Sequence, residues 1–70
     1  MAKQRHSERG QRPNLGRGDP VVRRLPGCVD ARGMVLSVKP GARAWIVEWI
    51  DEADGMAYQT SANAIERSLR

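Results

Sequence analysis

Turn formers interrupt this chain at short intervals, and that spacing most constrains its fold. Gly18-Asp19-Pro20, Pro26-Gly27, Gly33, Pro40-Gly41 and Gly55 leave room only for short runs of apolar and β-branched residues. No window repeats apolar residues at i, i+3, i+4 and i+7 between caps, so long amphipathic helices are excluded. The clearest run is Ala44 to Ile50. Trp45, Val47 and Trp49 alternate there with Ile46, Glu48 and Ile50, the period of a strand with two different faces. The pattern predicts an all-β chain.

Five strands are predicted. The first spans Val21 to Leu25 after Pro20, which can open a strand but not sit at its centre. The second spans Gly33 to Lys39, the third Ala44 to Ile50, the fourth Met56 to Thr60 and the fifth Ile65 to Ser68. Gly55 closes the acidic turn before the fourth strand, where a positive φ is needed. Residues 61–64 suit a single 3-10 turn; a helix from Ser61 to Leu69, capped by Ser61, is the competing reading. Strands of this length and number fit a small barrel, whose closure removes open edges. The predicted core joins Trp49 to Val22, Val35, Val47 and Ile65.

Charge divides the chain in two. Its net charge is +4, and residues 1 to 18 hold all of it, with Lys3, Arg5, Arg9, Arg12 and Arg17 against Glu8. The remainder is neutral, so the pI near 10.2 belongs to the N-terminal arm. Beyond Met1 and Ala2 the only apolar side chain of that arm is Leu15. Residues 1–17 are therefore predicted to be a disordered basic arm making no core contact, and residues 18–70 a folded domain. Such an arm either neutralises phosphates or serves as a solubilising tail.

Seventy residues with one cysteine and one histidine exclude a disulfide framework and a four-ligand zinc site. No run approaches a membrane span, and no N-terminal apolar run has the form of a signal peptide. The expectation is one soluble domain in the cytoplasm, with no cofactor and no membrane partner. No catalytic constellation stands out. His6 has no partner in sequence. Cys28 reads as a small, partly buried apolar residue, and Asp51, Glu52 and Asp54 as a solvated turn without calcium-loop spacing.

The turn and strand residues just described resemble the SH3-like small barrels, a group that includes Tudor and KOW modules. Gly18-Asp19-Pro20-Val21-Val22-Arg23, Gly33 to Val38, Trp45 to Asp51 and Ala64-Ile65-Glu66-Arg67 carry the resemblance, which covers residues 18–69. It implies a five-stranded barrel with a 3-10 turn before the last strand. It implies only a generic function, because this fold hosts many binding activities. Gly18-Asp19 and Ile65-Glu66-Arg67 are also similar to the plasmid-borne type II dihydrofolate reductases. Ala57-Tyr58-Gln59-Thr60 stands where that family has Val-Gln-Ile-Tyr, so no catalytic residue carries over.

The favoured expectation is a non-enzymatic module that binds DNA or RNA. Its phosphate contacts would come from the arm (Lys3, Arg5, Arg9, Arg12, Arg17) and from Arg23, Arg24, Lys39 and Arg43. Trp45 and Tyr58 are the candidate aromatic contacts. Trp45 and Trp49 lie four strand positions apart, roughly 13 Å, too far to share one cage. One tryptophan with Tyr58 across the hairpin is the alternative pairing. The competing function is a protein-interaction module, regulatory or viral accessory in type, that uses an exposed strand or Trp45. A reductase-like oligomeric enzyme is the third.

Overall fold

The computed structural model describes residues 10–68, and the fold is all-β. Five antiparallel strands form one sheet: β1 (Pro20–Arg23), β2 (Ala31–Pro40), β3 (Trp45–Asp51), β4 (Ala57–Ser61) and β5 (Glu66–Arg67). Their spatial order is β4-β3-β2-β1-β5. β4 and β5 are the edges of the sheet, which does not close on itself. Among the described residues no helix is long and apolar enough to cross a membrane.

The strands fall where alternation and turn chemistry place them, with shifted ends. β1 stops at Arg23 because Leu25 enters a turn, its carbonyl accepting from the Cys28 N–H at 3.0 Å. β2 starts earlier than Gly33, since Arg32 and Ala31 still have Val22 and Arg23 to pair with. A single 3-10 turn, Ala62–Ala64, joins β4 to β5, and the competing helix does not form. Ser61 caps it, accepting from the Asn63 N–H at 3.2 Å. At Ile65 the chain is already extended, with φ −143° and ψ 148°, and this delivers Ile65 to the core.

β2 carries the one irregularity of the sheet. Val35 pairs with Trp49 and Ser37 with Glu48, so Leu36 is an extra residue. Such a bulge resets the inward phase of a strand. Val35 and Val38, three apart, consequently both reach the core. Gly33 answers a different constraint: a Cβ there would lie 1.9 Å from the Ile50 carbonyl oxygen and 2.7 Å from the Trp49 ring.

Val21, Val35, Val47, Trp49 and Ile65 form the core. The predicted core named Val22; Val21 occupies that place. Successive strand residues point to opposite faces, and Val22 is buried on the other one, beside Arg32, Glu66, Arg67 and Ser68. The indole N–H of Trp49 donates to Thr60 Oγ1 at 2.9 Å. No buried side-chain nitrogen or oxygen among the described residues lacks a partner.

The predicted basic arm falls partly outside the described residues, which exclude 1–9 and with them Lys3, Arg5 and Arg9. Residues 10–17 have no strand or helix, yet they are held against the sheet. Leu15 packs on the core, contrary to the expectation of no contact there. The Gly16 N–H donates to Asp19 Oδ2 at 2.8 Å, and Arg67 donates to the Asn14 carbonyl at 2.6 Å. A lone leucine in a polar segment gives no periodic signal, so its burial could not be read from sequence. Cys28 is likewise corrected: it is exposed, because the Pro26-Gly27 turn carries it away from the sheet.

Candidate nucleic-acid interface

The hairpin between β2 and β3 gathers part of the predicted set. Pro40 pairs with Trp45 and Lys39 with Ile46, and the Gly41 N–H closes the turn on the Ala44 carbonyl at 3.0 Å. Arg43 sits inside this turn and is exposed, as is Lys39. The arm adds a third cation. The Arg12 guanidinium lies over the Trp45 ring, 5.5 Å from its centroid, within cation–π range. Trp45 Nε1–H donates to the Gly10 carbonyl at 3.1 Å. Arg12, Lys39 and Arg43 thus share the hairpin end of the sheet, Arg12 over the half-buried Trp45 and Lys39 on the opposite face, paired with Ile46.

The opposite end of β3 is acidic. Asp51 ends the strand, roughly 20 Å from Trp45 at about 3.4 Å per residue, and Glu52 and Asp54 follow it. Two of these carboxylates are committed to the turn itself. Asp51 Oδ1 accepts from the Ala53 N–H, and Asp54 Oδ1 from the Met56 N–H, both at 2.8 Å. Gly55, at φ 72°, makes the turn possible and donates to the Asp51 carbonyl at 2.8 Å. Among the described residues no cluster of histidine, cysteine or acidic side chains is arranged to hold a metal ion.

The other predicted cations lie apart from the hairpin. Arg24 is neutralised locally: Nε donates to Glu66 Oε2 at 2.7 Å, and Nη1 lies 3.4 Å from Asp30 Oδ2. The Glu66 hydrogen bond, followed by the Glu66 charge, raises the Arg24 pKa above its ordinary value. Arg23 borders a shallow hollow with Asp51 and Tyr58, at the acidic end. Arg17 is exposed in the turn that leads to β1. Among the described residues, Arg12, Arg17, Arg23, Lys39 and Arg43 take part in no ion pair, whereas Arg67 pairs with Asp19 at 3.2 Å.

The two candidate aromatics are not brought together. Tyr58 faces Trp49 across the β3–β4 pair, with ring centroids 5.7 Å apart. Trp49 is 1% exposed, so this pair offers no cage to a ligand. The Tyr58 hydroxyl donates to Asp54 Oδ2. That bond lowers the Asp54 pKa and raises that of Tyr58.

Nothing in the short-range pattern links Arg12 to Trp45, or Gly10 to an indole 35 residues away. The sequence offered the residue types; only the path of residues 10–17 places them together. No family model, curated protein or solved structure matches this chain.

Proposed function

We propose that this chain is an SH3-like small barrel that acts as a non-enzymatic nucleic-acid-binding module. The strand order β4-β3-β2-β1-β5, with a 3-10 turn before the last strand, supports the fold assignment. One observation carries the function: the β2–β3 hairpin end of the sheet holds Arg12 over Trp45 together with the exposed Lys39 and Arg43, while the acidic turn occupies the other end of β3. A phosphate backbone is attracted to the first end and repelled by the second. Arg12, held over the Trp45 ring, is a cation positioned for a phosphate, and a base stacks on that ring by displacing it. Lys3, Arg5 and Arg9 add further phosphate contacts from the arm, and Arg17 extends the set. Arg24, engaged by Glu66 and Asp30, contributes little.

Fluorescence anisotropy with labelled duplex and single-stranded oligonucleotides tests this reading across a salt series. Replacing Arg12, Lys39 and Arg43 together by alanine should flatten the slope of log K against log salt by roughly 2 to 3 units. Arg23→Ala should change affinity much less. No binding at low salt, or an unchanged slope in the triple variant, would refute it.

A further inference from the structure

We propose that two copies of this chain pair through the outer edge of β4, antiparallel, about a two-fold axis at Gln59. The proposal is independent of the nucleic-acid reading. β4 is an edge strand, bonded to β3 on one side only. Its sequence, Ala-Tyr-Gln-Thr-Ser, holds no charge, proline or bulge. Those are the usual devices that stop an edge from adding another strand. Ala57, Tyr58 and Gln59 are all exposed.

The hydrogen-bond phase fixes the geometry. The Asp51 N–H donates to the Met56 carbonyl at 2.9 Å, so Met56 turns its backbone toward β3. The β3–β4 register then runs without a break through Trp49 with Tyr58 and Val47 with Thr60. Backbone direction alternates along a strand. Tyr58 and Thr60 therefore face β3, and Ala57, Gln59 and Ser61 face the open edge. These are the first, third and fifth residues of a five-residue strand. A two-fold axis at Gln59 sets Gln59 against itself and Ala57 against Ser61, each as a hydrogen-bonded pair.

Charge selects a second copy in this orientation. β4 begins at the acidic turn and ends on the side of the sheet where Trp45 and Arg43 lie. Antiparallel pairing brings the Asp51 and Asp54 turn of each copy toward the Lys39 and Arg43 end of the other. Parallel pairing would set acidic turn beside acidic turn.

The substitution Gln59→Pro tests the edge selectively. Proline removes only the outward N–H and is tolerated where that group faces away from the sheet. Because the axis passes through Gln59, one change strikes the interface in both copies. The wild-type chain should sediment as a monomer–dimer equilibrium between about 1 µM and about 1 mM. Gln59→Pro should weaken it at least roughly tenfold, with tryptophan fluorescence unchanged. Monomer throughout in the wild type overturns the proposal, as does undiminished dimer in the variant. Should the variant not fold, hydrogen exchange in the wild type decides. Protection of the Ala57 and Gln59 amides that rises with concentration supports the interface; concentration-independent exchange at both overturns it.

Discussion

Val47→Ala should cost more stability than Ile46→Ala, although isoleucine is the larger side chain. Val47 is 0% exposed and belongs to the core with Val35 and Trp49; Ile46, on the other face, is half-buried. Truncating valine removes two methyl-sized groups, about 1.6 kcal/mol at about 0.8 kcal/mol each. The cavity left behind raises this to roughly 2 to 2.5 kcal/mol, because the surroundings collapse only in part. Truncating isoleucine removes three such groups, about 2.4 kcal/mol if all were fully buried. At half burial this falls to roughly 1 kcal/mol, with little cavity penalty. In a domain this small, about 1 kcal/mol moves Tm by roughly 4 to 8 °C. The two variants should therefore differ by roughly 5 to 10 °C. Thermal and urea unfolding followed by tryptophan fluorescence measure both. Equal losses, or a larger loss for Ile46→Ala, would refute the assignment of faces on β3. The second result would mean that the Ile46 face is buried at least as deeply as the core.

Thr60→Val keeps the shape of the side chain but leaves the buried Trp49 N–H without its acceptor. It should destabilise by about 1 to 3 kcal/mol in urea unfolding, and no loss would show that the bond is replaced. Asp54→Asn should return the Tyr58 titration toward its ordinary value of 10.0, read cleanly by absorbance because Tyr58 is the only tyrosine. In the wild type, the lowered Asp54 pKa contributes stability above the ordinary 3.8, lost as pH falls through its folded value. The raised Tyr58 pKa contributes below 10.0, lost as pH rises through its folded value. The bond between them thus operates across the interval separating the two titrations; a tyrosine midpoint unmoved by Asp54→Asn would contradict it.

Much of the fold was legible in the chain. Alternation through Trp45-Ile46-Val47-Glu48-Trp49-Ile50 identified β3 and its buried face, and the Gly and Pro punctuation located the other strands. The bulge at Leu36 was not legible, because the run Met34 to Val38 alternates plausibly in either phase. Neither was the exchange of Val21 for Val22, since consecutive valines carry no mark of which faces inward. The candidate site was less visible. Arg23-Arg24 and Lys39 with Arg43 are equivalent as basic pairs in the sequence, yet Arg23 lies by the acidic end and Arg24 is paired with Glu66, while Lys39 and Arg43 flank the β2–β3 turn.

That difference marks the boundary between the two levels. Strand period, turn position and the bias of cations toward the N-terminus depend on neighbouring residues, so the sequence by itself determined them. Partnerships depend on register and on the path of the chain between elements. Arg24 reaches Glu66 across 42 residues and Trp45 reaches Gly10 across 35, distances over which no local pattern operates. Only the tertiary structure decided which charges are cancelled, which are left facing solvent, and which edge of the sheet stays open. The physical reason is that backbone alternation is a property of a few bonds, whereas charge pairing and edge exposure arise when strands distant in sequence come within hydrogen-bonding reach.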